Sequence, residues 1–143
     1  MPVCIWTHET SDRVVPVTLD VPSNTGGERT ERTLHVLPEH EADLRAYNDR
    51  VATHGRTFVR SMFGLSAVLL GVAVGGAVAD WPTSIVSAVV GLGVSAIGWL
   101  MIAFPFATPQ TVGALGIRRS VRLTRVLGAV TVGLGIWIAL IAP

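Results

Sequence analysis

The residues of this chain that can bind a metal lie mostly near its beginning. The only cysteine, Cys4, is followed by His8, while His35 and His40 lie where a strand-like run gives way to a helical one. Thiolates and imidazoles are common ligands of transition metals in proteins. The sequence therefore raises two hypotheses: these groups converge on a metal, or they are the remains of a metal site that is now held together in another way.

Catalytic machinery is not evident elsewhere in the sequence. No nucleophile has a base at useful spacing, and no glycine-rich loop is placed to cradle a phosphate. The segment GLGVSAIG, residues 91–98, imitates part of a nucleotide-binding fingerprint, but it lies inside a run that is long and apolar enough to span a membrane. We therefore expect that the chain is not an enzyme.

Charge is distributed unevenly along the 143 residues. Half of the residues are hydrophobic and 15% are charged, against about a quarter in soluble domains. Residues 1–57 hold nine of the ten acidic residues, whereas residues 58–143 hold only Asp80 and five arginines. This asymmetry predicts a polar head over 1–57 and a membrane domain over 58–143. The net charge of +1 argues against nucleic-acid binding.

Three stretches approach or reach the length of about 20 apolar residues that a helix needs to cross a bilayer. They cover residues 62–79, 85–104 and 126–142, and none contains a charged residue or a histidine. Three buried helices of a soluble protein are the alternative, but a chain this small has too little left to cover them. The predicted fold is a bundle of three transmembrane helices with a small α+β head.

The charges next to the spans predict an orientation. Asp80 lies in the short turn between the first two spans, and the nearby arginines all lie at the opposite ends of the spans. Because positive residues concentrate on the cytoplasmic side, we expect a multi-pass protein of the cell (inner) membrane with a cytoplasmic head and its C-terminus outside. The arginines concerned are Arg56, Arg60, Arg118, Arg119, Arg122 and Arg125.

A basic link, residues 107–125, connects the second and third spans. Thr108 and Pro109 are typical of an N-cap and a first helical position, whereas Gly113 and Gly116 disfavour a helix. Three explanations of its four arginines stay open. They fix the topology only, they bind anionic lipid headgroups, or they bind a phosphorylated or acidic partner.

Each predicted span carries small residues at every fourth position, a pattern that lets membrane helices approach closely. The pattern predicts a compact bundle, with faces that pack either within one chain or between chains. Ionisable groups are missing from the spans, so a proton pump, a transporter or a haem site within them is not expected. The small residues are Ala67, Gly71, Gly75, Ala79, Ser87, Gly91, Ser95, Thr131, Gly135 and Ala139.

The head has the pattern of a β-hairpin followed by a helix. Residues 13–22 and 32–37 alternate apolar and polar side chains on either side of the turn-forming segment SNTGGE. A helix is predicted from Pro38 to about His54 and is ended by Gly55. Its apolar stripe is formed by Leu44, Tyr47 and Val51. A module of this size buries little and often needs a metal, a partner or another staple.

The order of knuckle, hairpin and helix over about residues 3–50 resembles treble-clef zinc fingers. The resemblance implies two zinc ligands from a knuckle before the hairpin and two from the start of the helix. On this sequence the four positions fall at Cys4, Thr7, Leu37 and His40, of which only the first and last are ligand types.

Nearby histidines could replace the two implied ligands that are missing. The resulting set is Cys4, His8, His35 and His40, and zinc accepts such ligands. Strand alternation opposes this set, because His35 points away from the core if Leu34 and Val36 face it. The alternative is a metal-free relic, with Cys4 as a small buried hydrophobe and His40 as a satisfied core group.

Two functions fit these features. The first is a scaffolding or regulatory membrane protein whose zinc-finger-like head contacts other proteins. The second is an accessory subunit of a larger membrane transport or respiratory complex. The partners expected are membrane lipids, anionic headgroups among them, and either another protein or a second copy of the chain, but no nucleic acid.

Overall fold

A computed structural model describes residues 2–22, 29–107 and 109–141. The prediction of an N-terminal antiparallel hairpin followed by three long helices is confirmed, and all three helices are long and apolar enough to cross a membrane. The elements are β1 (Val15–Pro22), β2 (Arg29–Val36), a 3-10 turn (Pro38–His40), α1 (Glu41–Val78), α2 (Thr83–Ala103) and α3 (Pro109–Ile141).

Contacts divide the chain into two compact units. The head unit comprises residues 1–56 and 106–123, and the helical unit comprises residues 57–105 and 124–143. In this division residues 107–123, most of the basic link, pack with the head. The two units are described separately below.

In the head unit, β1 and β2 pair in a register that places Val17 opposite Leu34 and Val15 opposite Val36. Val17 and Val36 are buried, whereas His35 is exposed. The predicted inner face of the hairpin is therefore confirmed. The predicted turn, residues 23–28, lies outside the described residues.

The segment before β1 folds back on itself as a knuckle. The N–H of Cys4 donates to the carbonyl oxygen of Glu9, and the N–H of His8 donates to that of Cys4, both at 2.8 Å. His8 adopts a positive φ of 63°, which a tight reversal of this kind requires. The N–H of Ile5 donates to the carbonyl oxygen of His35 at 2.9 Å and so joins the knuckle to the end of β2.

α1 is a single helix of 38 residues, about 57 Å long at 1.5 Å per residue. The prediction that a first helix ends at Gly55 is wrong, because Gly55 is helical and a methyl group there would meet a side chain only at an ordinary 3.7 Å. The helix instead ends at Val78 in a Schellman motif. Asp80 takes a φ of 51°, and the N–H of Trp81 donates to the carbonyl oxygen of Gly76 at 3.0 Å.

α3 begins at Pro109, as predicted, while Thr108, its predicted N-cap, lies outside the described residues. The helix is broken at Gly116, whose φ of 76° and ψ of 164° are not helical. Ser120 is fully buried next to the break. Its Oγ lies 2.7 Å from the carbonyl oxygen of Gly116 and 3.1 Å from that of Thr111, so the hydroxyl links the two parts of the helix.

The knuckle caps the second part of α3. The N–H groups of Ile117 and Arg118 donate to the carbonyl oxygens of Ile5 and Trp6 at 3.0 and 3.1 Å. A methyl group at Gly116 would lie 3.0 Å from the Trp6 oxygen, so the close approach requires a glycine there. These contacts explain why the basic link belongs to the head unit.

The head core lies where the knuckle, the hairpin, the start of α1 and the break in α3 meet. Leu44, from the predicted stripe of α1, is only 2% exposed. The buried apolar members are Cys4, Val17, Leu19, Val36, Leu37, Leu44 and Ile117.

In the helical unit, α2 and α3 approach through their glycines. A methyl group at Gly91 would lie 2.5 Å from the carbonyl oxygen of Gly135, and one at Gly98 would lie 2.6 Å from that of Gly128. α1 packs on α2 through side chains, with Gly76 of α1 against Val86 and Gly93 of α2 against Leu69. Backbone therefore meets backbone between α2 and α3, as small residues permit.

Candidate functional site

The Cys4 thiol is the first candidate site, and it is fully buried in the head core. Burial acts to raise the pKa of Cys4. Backbone N–H groups of Thr7, Leu37 and Trp6 near the sulfur outweigh this effect and bring the pKa below its ordinary 9.0. Thr7 and Leu37 occupy two of the four positions that the treble-clef resemblance implies, and both lie beside the Cys4 sulfur.

The Thr7 hydroxyl does not hydrogen-bond to that sulfur. Its Oγ1 is buried and, among the described residues, has no hydrogen-bond partner. At this position the treble-clef resemblance implies a second zinc ligand, and a threonine stands there instead.

The three histidines of the predicted metal set have different surroundings. His8 is exposed, and its Nε2 lies 3.1 Å from the carbonyl oxygen of Gly113, which requires a proton on that nitrogen. His35 is exposed on the hairpin. His40 lies beside the indole of Trp6, with 6.1 Å between ring centroids, and its Nδ1 is 3.5 Å from the carboxylate of Asp43.

Over residues 2–22, 29–107 and 109–141, no three His, Cys, Asp or Glu side chains form a group able to hold a metal ion. The set Cys4, His8, His35 and His40 is not brought together, and at the treble-clef positions two of four side chains cannot be ligands. The arrangement does not fit a zinc ion, and zinc binding stays a prediction of the sequence.

An aromatic pair that sequence reasoning missed supports the knuckle. Trp6 meets Tyr47 edge to face, with 6.4 Å between ring centroids. The Tyr47 hydroxyl oxygen accepts a hydrogen bond of 3.2 Å from the N–H of Ala107. Burial raises the pKa of Tyr47 above its ordinary value of 10.0, partly offset by this hydrogen bond. The apolar stripe identified Tyr47, but no local pattern signals its partners.

The six arginines predicted to mark the cytoplasmic side are all exposed. In the described part of the chain none of them forms an ion pair. Arg118, Arg122 and Arg125 are spaced by four and three residues along α3 and so share one side of the helix. Ile117 is buried in the head core, whereas Leu123 of the same segment is 41% exposed.

A polar groove of about 520 Å³ lies between the hairpin and α1 in the head unit. Asp20 and Glu31 face each other directly across the hairpin, an arrangement that destabilises the ladder. The side-chain N–H of Asn48 donates to the carbonyl oxygen of Asp20 at 3.0 Å and joins the two walls. Such a groove suits a partner that brings positive charge.

The helical unit turns large apolar side chains outward. The most exposed are Val78, Leu140 and Phe63. Three of the four tryptophans of the chain are at least half exposed and lie near helix ends, Trp81 after α1, Trp99 towards the end of α2 and Trp137 towards the end of α3. Tryptophan at such positions is typical of membrane interfaces.

The small-residue stripes behave differently in the three helices. Gly91 of α2 contacts Gly135 and Ala139 of α3, and the Ser95 hydroxyl donates to the carbonyl oxygen of Val132 at 3.3 Å. Two stripe hydroxyls bond back to their own helices instead, through Ser87 to Thr83 and Thr131 to Leu127.

The stripe of α1 is exposed throughout, at Ala67, Gly71, Gly75 and Ala79. A methyl group at Gly71 or Gly75 would meet nothing within 4 Å in the described chain. α1 instead uses its neighbouring face, which carries Gly76.

Sequence reasoning missed Gly98 and Gly128. A strict fourfold spacing drifts by about 40° per step around a helix of 3.6 residues per turn. The contact face of α2 follows steps of four and three, through Gly91, Ser95 and Gly98, all of them buried. That alternation in the sequence is the signal that would have identified both glycines.

Known proteins give no further guide to these sites. No protein-family model matches the chain, and no curated protein or solved structure matches it either.

Proposed function

We propose that the chain is a multi-pass protein of the cell membrane, in which the helices of the helical unit span the bilayer. The observation that carries the proposal is the outward apolar surface of that unit, on which Phe63 is 73% exposed. In water, each such exposed side chain lacks the stabilisation of about 1.5–3 kcal/mol that burial would give it. In hydrocarbon there is no such loss.

The head lies in the cytoplasm and the C-terminus outside. The exposed arginines support this orientation, because positive residues concentrate on the cytoplasmic side. In a Cys4→Ser background, a single cysteine at Asp80 is expected to react with a membrane-impermeant maleimide on intact cells. A cysteine at Ala46, on the exposed head face of α1, reacts only after the cells are opened. The reverse pattern would contradict the orientation, and equal labelling of both would contradict insertion.

The role that fits this placement is that of a scaffolding or regulatory protein, without enzymatic activity, whose head contacts other proteins. Its support is the polar groove of the head, where opposed Asp20 and Glu31 favour a positively charged segment of a partner. A photocrosslinking residue at Thr18, which lines the groove, should give a discrete adduct in native membranes. The same residue at the exposed Glu39, outside the groove, is the control. Without an adduct specific to Thr18, the groove has no protein partner.

A second candidate function is that of an accessory subunit in a larger membrane transport or respiratory complex. The open stripe of α1 favours it, because Gly71 and Gly75 leave room for another helix to approach closely. Native size in mild detergent separates the two candidates. A large hetero-complex that Gly75→Leu dissociates and Gly133→Leu leaves intact supports the subunit. A chain that runs alone or as a homo-oligomer rejects it.

The head holds its fold without a structural metal. The complete burial of Cys4 in the apolar core of the head supports this proposal. Chelation should leave the purified protein with unchanged thermal stability, and metal content should be far below one zinc per chain. Stoichiometric zinc that is lost in both Cys4→Ser and His40→Ala would overturn it and restore the zinc-site hypothesis.

A further inference from the structure

A second groove lies in the helical unit, between the first part of the membrane segment of α1 and the last part of α2. It is an open groove of about 810 Å³ and its lining is mostly apolar. Gly64 leaves it open on the α1 side, because a methyl group there would meet nothing within 4 Å. The lining includes Gly64, Leu65 and Val68 of α1 and Ala96, Trp99 and Leu100 of α2.

One end of this groove is marked by charge. Arg60 precedes Gly64 by four residues and Val68 by eight, so the three lie in one row along α1. Gly64 and Val68 line the groove, and Arg60 extends their row beyond it. Arg60 is exposed and, in the described chain, has no ion-pair partner.

The same end carries groups suited to a membrane interface. Ser61 and Ala103 complete the lining there, and Ala103 is the last residue of α2. Trp99, one turn before that end, is 62% exposed and has the amphipathic ring that is enriched at headgroup level. The groove thus runs from a cationic, polar end into an apolar interior.

We propose that this groove binds an anionic phospholipid, with an acyl chain in the groove and the phosphate on Arg60. The proposal rests on the membrane insertion proposed above. From Ser61 to Val68 the α1 wall is about 10 Å long, which accommodates the upper part of one chain.

The acyl chain and the headgroup contribute differently to lipid binding, because the site is surrounded by hydrocarbon. An acyl chain gains little by leaving the bilayer for an equally apolar groove, so the headgroup determines which lipid binds. A guanidinium forms charge-assisted, often bidentate hydrogen bonds with phosphate, and anionic headgroups add net charge attraction. Arg60 therefore sets the preference for anionic lipid, and the space beside Gly64 sets whether a chain fits at all.

The test is native mass spectrometry of the full chain purified in mild detergent, with equal amounts of phosphatidylglycerol and phosphatidylcholine added. The wild type should retain one phosphatidylglycerol in preference to phosphatidylcholine. Arg60→Gln should weaken phosphatidylglycerol retention about fivefold, the effect of one interfacial cation. Gly64→Leu fills the groove and should abolish retention of both lipids.

Matched controls isolate the groove. Arg32→Gln removes an exposed arginine of the hairpin, in the head unit rather than at the groove, and Gly133→Leu adds the same side chain at an open position of α3; both should retain lipid as the wild type does. Equal retention of the two lipids by the wild type, or equal losses in the controls, would overturn the proposal. If Gly64→Leu loses helicity, the lipid ratio of Arg60→Gln decides alone.

Flotation with vesicles of the same two lipids separates this inference from the function on which it rests. A wild type that does not float contradicts membrane insertion itself. A wild type that floats with both vesicles but shows no lipid preference in mass spectrometry contradicts the phospholipid site and leaves insertion standing.

Discussion

The head unit and the helical unit differ in where their large apolar side chains point, and α1 contributes to both units. Leu44, near the start of α1, is 2% exposed, whereas Leu70 of the same helix is 67% exposed. In the head, large side chains face inward around a core that excludes water. In the helical unit, the glycines at the contact of α2 with α3 face inward, and many large side chains face out. One helix thus carries two surface patterns, one that suits water along its first part and one that suits hydrocarbon along its second.

The difference teaches that hydrophobic content alone does not reveal what holds a unit together. The head depends on burial of apolar area, so it is sensitive to truncation of core side chains. The helical unit depends on close backbone approach, so it is sensitive to enlargement of its glycines. Each of the following substitutions tests one side of this contrast.

The largest effect is expected from Gly135→Leu in the helical unit. A side chain there collides with the Gly91 carbonyl and with Ser95, in the packing of α2 on α3. Because backbone cannot move aside as a side chain can, we expect a loss of about 3 kcal/mol or more, seen as loss of the compact state in detergent. Gly133→Leu, two residues away, meets nothing within 4 Å and should match the wild type. Equal effects would show that α2 and α3 do not pack through Gly135.

The next effect is expected from the same truncation at two places on α1. Leu44→Ala should cost about 2–5 kcal/mol, because it leaves a cavity in the head core. Leu70→Ala should change stability by less than about 0.5 kcal/mol, as exposed positions usually do. Thermal unfolding in detergent measures both. Similar losses at the two positions would mean that Leu70 is buried and that the contrast is false.

A smaller effect is expected at the break of α3. Gly116→Ala places a methyl group 3.0 Å from the knuckle backbone at a φ of 76°, and should cost about 1–2 kcal/mol. Gly113→Ala, in the helical part before the break, meets nothing within 4 Å and should stabilise by up to about 1 kcal/mol. Hydrogen exchange of the Ile117 and Arg118 amides locates the change. Unaltered exchange in Gly116→Ala would contradict the capping of α3 by the knuckle.

The smallest effect is expected from Tyr47→Phe. Loss of the hydrogen bond from Ala107 should cost about 1 kcal/mol at neutral pH. Because burial raises the pKa of Tyr47 above 10.0, the stability that its protonated form contributes is complete below pH 10 and is lost as the pH rises above it.

The chain allows that pH dependence to be read cleanly, since Tyr47 is its only tyrosine and it has no lysine. Stability of the wild type should therefore fall as the pH rises above 10, and Tyr47→Phe should remove that fall. A variant with the same alkaline profile as the wild type would show that Tyr47 is not buried.

Local patterns predicted the hairpin, the three long helices and the inner faces of the strands, because period and length are properties of short segments. They did not predict that α1 runs through Gly55, since a glycine ends a helix only where a positive φ is needed. Nor did they predict the capture of the basic link, because the hydrogen bond from Ile117 to Ile5 joins residues far apart in sequence. Three of the four implied treble-clef positions, Cys4, Thr7 and Leu37, do come together, yet backbone groups lie next to the sulfur there, and a search for ligand side chains overlooks them.

The central claim is that the helical unit lies in hydrocarbon and the head unit in water. Its most direct test is fluorescence quenching by brominated phosphatidylcholine in reconstituted vesicles. Two variants are compared, one retaining only Trp99 and one retaining only Trp6, with phenylalanine at the other tryptophans. The account predicts strong quenching of Trp99, on the outward surface of the helical unit, and little quenching of Trp6, in the head. Equal quenching of the two, or none at Trp99, would contradict it.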